Sequence, residues 1–131
     1  MEDMILKVRI LSLWIFVAVA MSAHGILSVM EPGAVDELAS GEMAVGPGML
    51  FFMSLFYFIP LVMAFLSVTL RYAANRWANM VLGAVFVVLN AIHLTEHLAE
   101  PSAHQILLIA STVVAPALVF WYALKWRSAE A

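Results

Sequence analysis

Apolar residues run almost without interruption through four stretches of the chain, 10–30, 48–70, 77–98 and 105–124, and polar residues gather between them. Each stretch is about 20 residues or longer, enough to cross a hydrocarbon core of ~30 Å as an α-helix. Within lipid every backbone N–H and C=O must be paired inside its own segment, so the pattern predicts four transmembrane helices. The intervening segments are short, so consecutive helices run antiparallel. The expected fold is all-α: a single transmembrane domain over 1–131, built as an up-down-up-down membrane four-helix bundle. Its longest connection, the outer loop 31–47, carries Ala34-Val-Asp-Glu-Leu-Ala39, predicted to form a short interfacial helix ended by Gly41.

Composition supports this reading. Of 131 residues 65% are hydrophobic and 11% charged, whereas a soluble domain carries about a quarter charged. The lipid bilayer is therefore the expected partner, and nucleic acid is not. The absence of cysteine excludes thiol catalysis and disulfides. Lys7 and Arg9 precede an apolar run with Ala18-Val-Ala20 inside it, the outline of a signal peptide. This segment is read instead as the first helix.

Charge sets the orientation. With four spans, both termini and the loop between the second and third helices share one side, and all six basic residues lie there: Lys7, Arg9, Arg71, Arg76, Lys125 and Arg127. The positive-inside rule makes that side cytoplasmic. Trp77, Trp121 and Trp126 fall near the same surface and are expected to form an interfacial belt. Glu31, Asp36, Glu37, Glu42, Glu96 and Glu100 fall at or near the outer side, a rim that attracts cations or keeps the loops solvated.

The chain also resembles itself. Setting His24 on His93 sets Glu31-Pro32 on Glu100-Pro101, Ala34 on Ala103 and Lys7 on Arg76. The second and fourth helices carry Phe58-Ile-Pro-Leu-Val62 and Val114-Ala-Pro-Ala-Leu118. Two tandem helical hairpins related by a pseudo-twofold axis along the membrane normal would produce this pattern, and would bring His24 and His93 to one depth if both point inward. Pro60 and Pro116 deprive the carbonyls of Phe56 and Thr112 of their donors, predicting a kink in each helix.

The candidate chemistry lies in the outer half. Asn90, His93, His97 and Glu100 follow steps of three, four and three, one polar stripe on a helix with Glu96 on its flank. At 1.5 Å per residue, His24 and His93 lie roughly 9 Å below the outer surface, where histidine is rare and usually faces the bundle interior. Histidines at i and i+4 can bind one ion from a single face, and imidazole suits zinc, copper, nickel or iron. The predicted metal set is His24, His93 and His97, with Glu96 or Glu100 as carboxylate ligand or support. The alternative cofactor is a haem b held by His24 and His93 as axial pair, although its propionates would meet no outer cation beyond His104. Simple hydrogen bonding between helices accounts for the same histidines, and Leu94 stands where an H-E-x-x-H motif would place its glutamate. With no nucleophile beside a base, an enzyme is not expected.

Leu13-Trp-Ile-Phe-Val17, Met30-Glu-Pro-Gly33, Met63-Ala-Phe-Leu-Ser67, Asn75-Arg-Trp-Ala-Asn79 and Trp121-Tyr-Ala-Leu-Lys-Trp126 resemble segments of a family of small prokaryotic four-helix integral membrane proteins of uncharacterised function. The resemblance runs over nearly the whole chain and implies the fold and a place in the prokaryotic cytoplasmic (inner) membrane, with no activity to transfer. Such proteins often carry an acidic residue near the position of His24, so the histidine cluster is a departure from the family. Arg76 and Asn79, in the shared block, are explained by anchoring and capping at the start of the third helix. Three functions follow: a metal- or haem-binding protein, a structural or accessory subunit of a homo-oligomer or larger membrane complex, and a small transporter or channel. The last is disfavoured by the lack of any ionisable residue in the inner half of the helices.

Overall fold

The computed structural model describes residues 1–42 and 44–127. Regular structure among them is entirely helical: α1 Glu2–Val29, α2 Ala34–Ser40, α3 Pro47–Thr69, α4 Tyr72–Glu96 and α5 Ala103–Lys125. All but α2 are long and apolar enough to cross a membrane. The punctuation is local chemistry. Pro32 follows the end of α1, and Gly33 and Gly41, at φ 85° and 77°, bracket α2 in the left-handed conformation that glycine adopts without strain. Pro47 opens α3, where its missing N–H costs nothing. Leu70 and Arg71, both extended, turn α3 into α4.

The helices pack as two hairpins, α1 with α3 and α4 with α5, and α5 also lies along α1. The fourth edge of the bundle, between α3 and α4, is barely closed. An exact twofold would make it equivalent to the α1–α5 edge, and the two edges differ. Gly83 lets α5 press onto α4: a Cβ there would stand 3.1 Å from both the Pro116 oxygen and the Phe120 nitrogen. Between α3 and α4 the contact is edge-to-face, Phe56 on Phe86 at 5.9 Å between centroids, and a ring keeps two backbones apart.

In each hairpin a cation near the start of the first helix donates to carbonyls at the end of the second. Lys7 Nζ reaches the Leu70 oxygen at 3.3 Å, and Arg76 Nε and Nη2 reach those of Ala123 and Leu124 at 3.0 and 3.2 Å. Both satisfy orphan acceptors and oppose the negative end of a helix dipole. These are the positions that the internal alignment pairs.

The core is apolar around Ile10, Trp14, Val17, Met63, Phe86 and Val119, yet threaded by polar groups. Trp14 Nε1 donates to Asn79 Oδ1 at 2.7 Å, Asn79 Nδ2 to Asn75 Oδ1 at 2.7 Å, and Asn75 Nδ2 to the Ser67 carbonyl at 2.7 Å, tying α1, α3 and α4 together. Asn79 is therefore no cap: α4 begins at Tyr72, and the side chain lies two turns inside it with no exposure. Trp126 also departs from expectation. It is 3% exposed, donating through Nε1 to Asp3 and packing edge-on to Tyr72, while Trp77 and Trp121 are exposed. At Pro116 the freed Thr112 carbonyl is taken by Asn90 Nδ2 at 3.1 Å, so α4 supplies the donor that α5 lacks.

Candidate metal centre

At the end of the bundle axis away from the chain termini α1 contributes His24 and α4 contributes His93 and, as its C-terminal cap, His97. The helix stops at Glu96, but His97 keeps a near-helical backbone at φ −88° and ψ −2°, so it stays on the His93 face. His24 and His93, on diagonally opposed helices, meet with their Nε2 atoms 3.3 Å apart. His97 closes a triangle, with ring centroids 5.1 Å from His24 and 4.8 Å from His93. The three rings stand nearly perpendicular to one another, and each brings a nitrogen within 4.8 Å of the other two. Ligands about 2.05 Å from a tetrahedral ion lie about 3.3 Å apart, the separation of the two Nε2 atoms.

The remaining predicted residues take different places. Glu96 stands behind the site: its Oε2 is 3.2 Å from His93 Nδ1, the nitrogen turned away from His24. A carboxylate there holds the proton on Nδ1 and leaves Nε2 free to ligate. Glu100 does not join the triad. With Glu31, Glu96, His97, Ala99 and Gln105 it lines an open cavity of about 370 Å³ outside the triad. Buried His24 Nδ1 has no hydrogen-bond partner, so the tautomer of that ring is set through the Nε2 contact with His93.

Two residues that the sequence reading did not place in the site shape this cavity. Gln105 Nε2 donates to Glu31 Oε1 at 2.7 Å, joining the end of α1 to the start of α5, and His104 Nε2 lies 3.1 Å from the same oxygen. The signal for Gln105 was present: Gln105, Ile109, Thr112, Pro116, Val119 and Ala123 follow helical steps and form the buried face of α5. Lower on the axis Asn90 is fully buried: its Nδ2 donates to the Thr112 carbonyl, while its Oδ1 has no partner among the described residues.

Comparison with protein-family models, curated proteins and solved structures finds no match. Function must therefore be argued from the geometry.

Proposed function

We propose that this chain is a multi-pass integral membrane protein that holds a divalent transition-metal ion at His24, His93 and His97. The observation that carries the reading is the pair of Nε2 atoms 3.3 Å apart on diagonally opposed helices, with a third imidazole against both and a carboxylate behind one. Three neutral imidazoles and no thiolate suit zinc or copper(II), with a water or a cavity carboxylate completing the shell.

A haem fits less well. Its two axial nitrogens sit about 4 Å apart on opposite faces of a flat macrocycle, at about 2 Å per bond. Here His97 packs against both rings on the space a macrocycle would need. The distribution of Lys and Arg supports cytoplasmic termini, and the resemblance carried by Asn75-Arg-Trp-Ala-Asn79 supports a prokaryotic inner membrane. An accessory role in a larger complex is the second reading, favoured by the outer turns of α3, where Met49 to Met53 are all exposed.

The test is elemental analysis and an optical spectrum of the detergent-solubilised protein, purified without chelators or metal-affinity resin and titrated with Zn²⁺ or Cu²⁺. One ion per chain is expected, lost in both His24→Ala and His93→Ala. A protein that remains metal-free throughout the titration would rule out the reading, and a Soret band would replace the ion by a haem.

A further inference from the structure

The triad lies between a cavity on one side and a packed interior on the other. Outward, His97 belongs both to the triad and to the cavity whose walls carry Glu31, Glu96 and Glu100 and no Lys or Arg. Inward, the axis is filled by buried and partly buried side chains. Trp14 and Val17 are fully buried on α1, and Trp14 stands edge-on to Phe86 with ring centroids 5.5 Å apart. Phe56 packs on the other edge of Phe86. Below this aromatic layer the Trp14, Asn79, Asn75 and Ser67 hydrogen bonds fill the space between α1, α3 and α4. These amides satisfy one another and the backbone, so they offer a passing ion no free ligand without breaking the network.

We infer that the site exchanges cations with the carboxylate-lined side alone: Glu100 and Glu96 draw a hydrated divalent cation to His97, the imidazoles strip its water, and the aromatic layer makes the triad a terminal receptor instead of a stage in a through-route. This rests on the reading of the triad as a metal centre and adds sidedness and an entrance to it. The two components divide the work by their chemistry. Exposed carboxylates hold a hydrated ion weakly and raise its local concentration, and imidazoles bind the dehydrated ion more durably. Steering by exposed charge is screened by salt, so association is expected to slow as ionic strength rises while dissociation from the triad stays constant.

The experiment uses full-length protein in sealed liposomes with Zn²⁺ as probe. The chain has no cysteine, so Ser40→Cys, in the loop at the carboxylate end, reports orientation through an impermeant maleimide. External Zn²⁺ is expected to fill only the fraction of molecules whose loop is labelled from outside, the remainder filling on addition of detergent, while a zinc dye sealed in the lumen stays dark. Glu100→Gln is expected to slow association several-fold with dissociation unchanged, and Asp36→Asn, the same charge lost on the outer loop away from the cavity, to slow it less. Zn²⁺ filling both orientations, or reaching the lumen, would overturn one-sided access. Equal rates in Glu100→Gln and the unmodified protein would overturn the carboxylate entrance. No Zn²⁺ bound even in detergent would instead overturn the metal reading itself, and this inference with it.

Discussion

His93 is the residue on which the site turns, because both of its ring nitrogens are committed, Nε2 toward His24 and Nδ1 toward Glu96. Losing an outer partner of a ligating histidine typically costs 10–100-fold in metal affinity. Glu96 is two-thirds exposed, so Glu96→Ala is expected to weaken Zn²⁺ by about 10-fold, the low end of that range. The loss should appear both as slower association and as faster dissociation, with one ion per chain still bound at saturation; competition against a zinc chelator measures the affinity, and an unchanged value would leave Glu96 a surface residue. The i, i+4 spacing of His93 and His97 was legible in the sequence because a single helix enforces it. The Glu31–Gln105 contact was not, since it joins residues 74 apart through the meeting of two helices. Asn79 resembles a cap only while the helix is expected to start near 77; α4 begins at Tyr72, which places Asn79 two turns inside it.

At the scale of the elements, hydropathy marked where lipid lies and not where helices end. The first helix starts at Glu2 and the third long one at Tyr72, ahead of the apolar stretches, because Glu2, Asp3 and Lys7 continue a hydrogen-bonded ladder that needs no lipid around it. Among the glycines, Gly83 is the one pressed against the backbone of a neighbouring helix. A leucine there must drive its Cβ against the backbone of α5, which cannot give as a flexible side chain can. Gly83→Leu is expected to destabilise the protein by about 1–3 kcal/mol while leaving its helix content intact, a lowered thermal midpoint by circular dichroism in detergent. An unchanged midpoint would mean that α4 and α5 part without cost. Asn90, in contrast, performs a task that the sequence announced without assigning: Pro116 was bound to orphan the Thr112 carbonyl, and only packing decides which neighbouring helix answers it.

For the whole molecule, the triad joins two hairpins that meet along only one well-packed edge, since α3 stays off α4. An ion shared by α1 and α4 would therefore brace the diagonal of the bundle. A ligand bound only by the folded state stabilises it by about 2.7 kcal/mol at 100 times its Kd. Zn²⁺ is expected to raise the thermal midpoint of the unmodified protein and not that of His24→Ala. Protons compete with metal for imidazole, so the gain should be present near neutrality and shrink as pH falls; a pH-independent shift, or one kept in His24→Ala, would place the ion elsewhere. By itself the sequence determined the number of long apolar helices, their antiparallel order, the crowding of acids at one end and of cations at the other, and the level of His24 and His93 along their helices, because each follows from hydropathy, helix rise and loop length along one strand of chain. Tertiary structure alone decided that those two imidazoles touch, that Glu100 stays in the cavity wall while Glu96 supports His93, and that Asn79 and Trp126 turn inward. Those outcomes depend on how far apart the helices stand, and that distance is set by the sizes of side chains on different helices, Gly83 against Phe120 on one edge and Phe56 against Phe86 on the other.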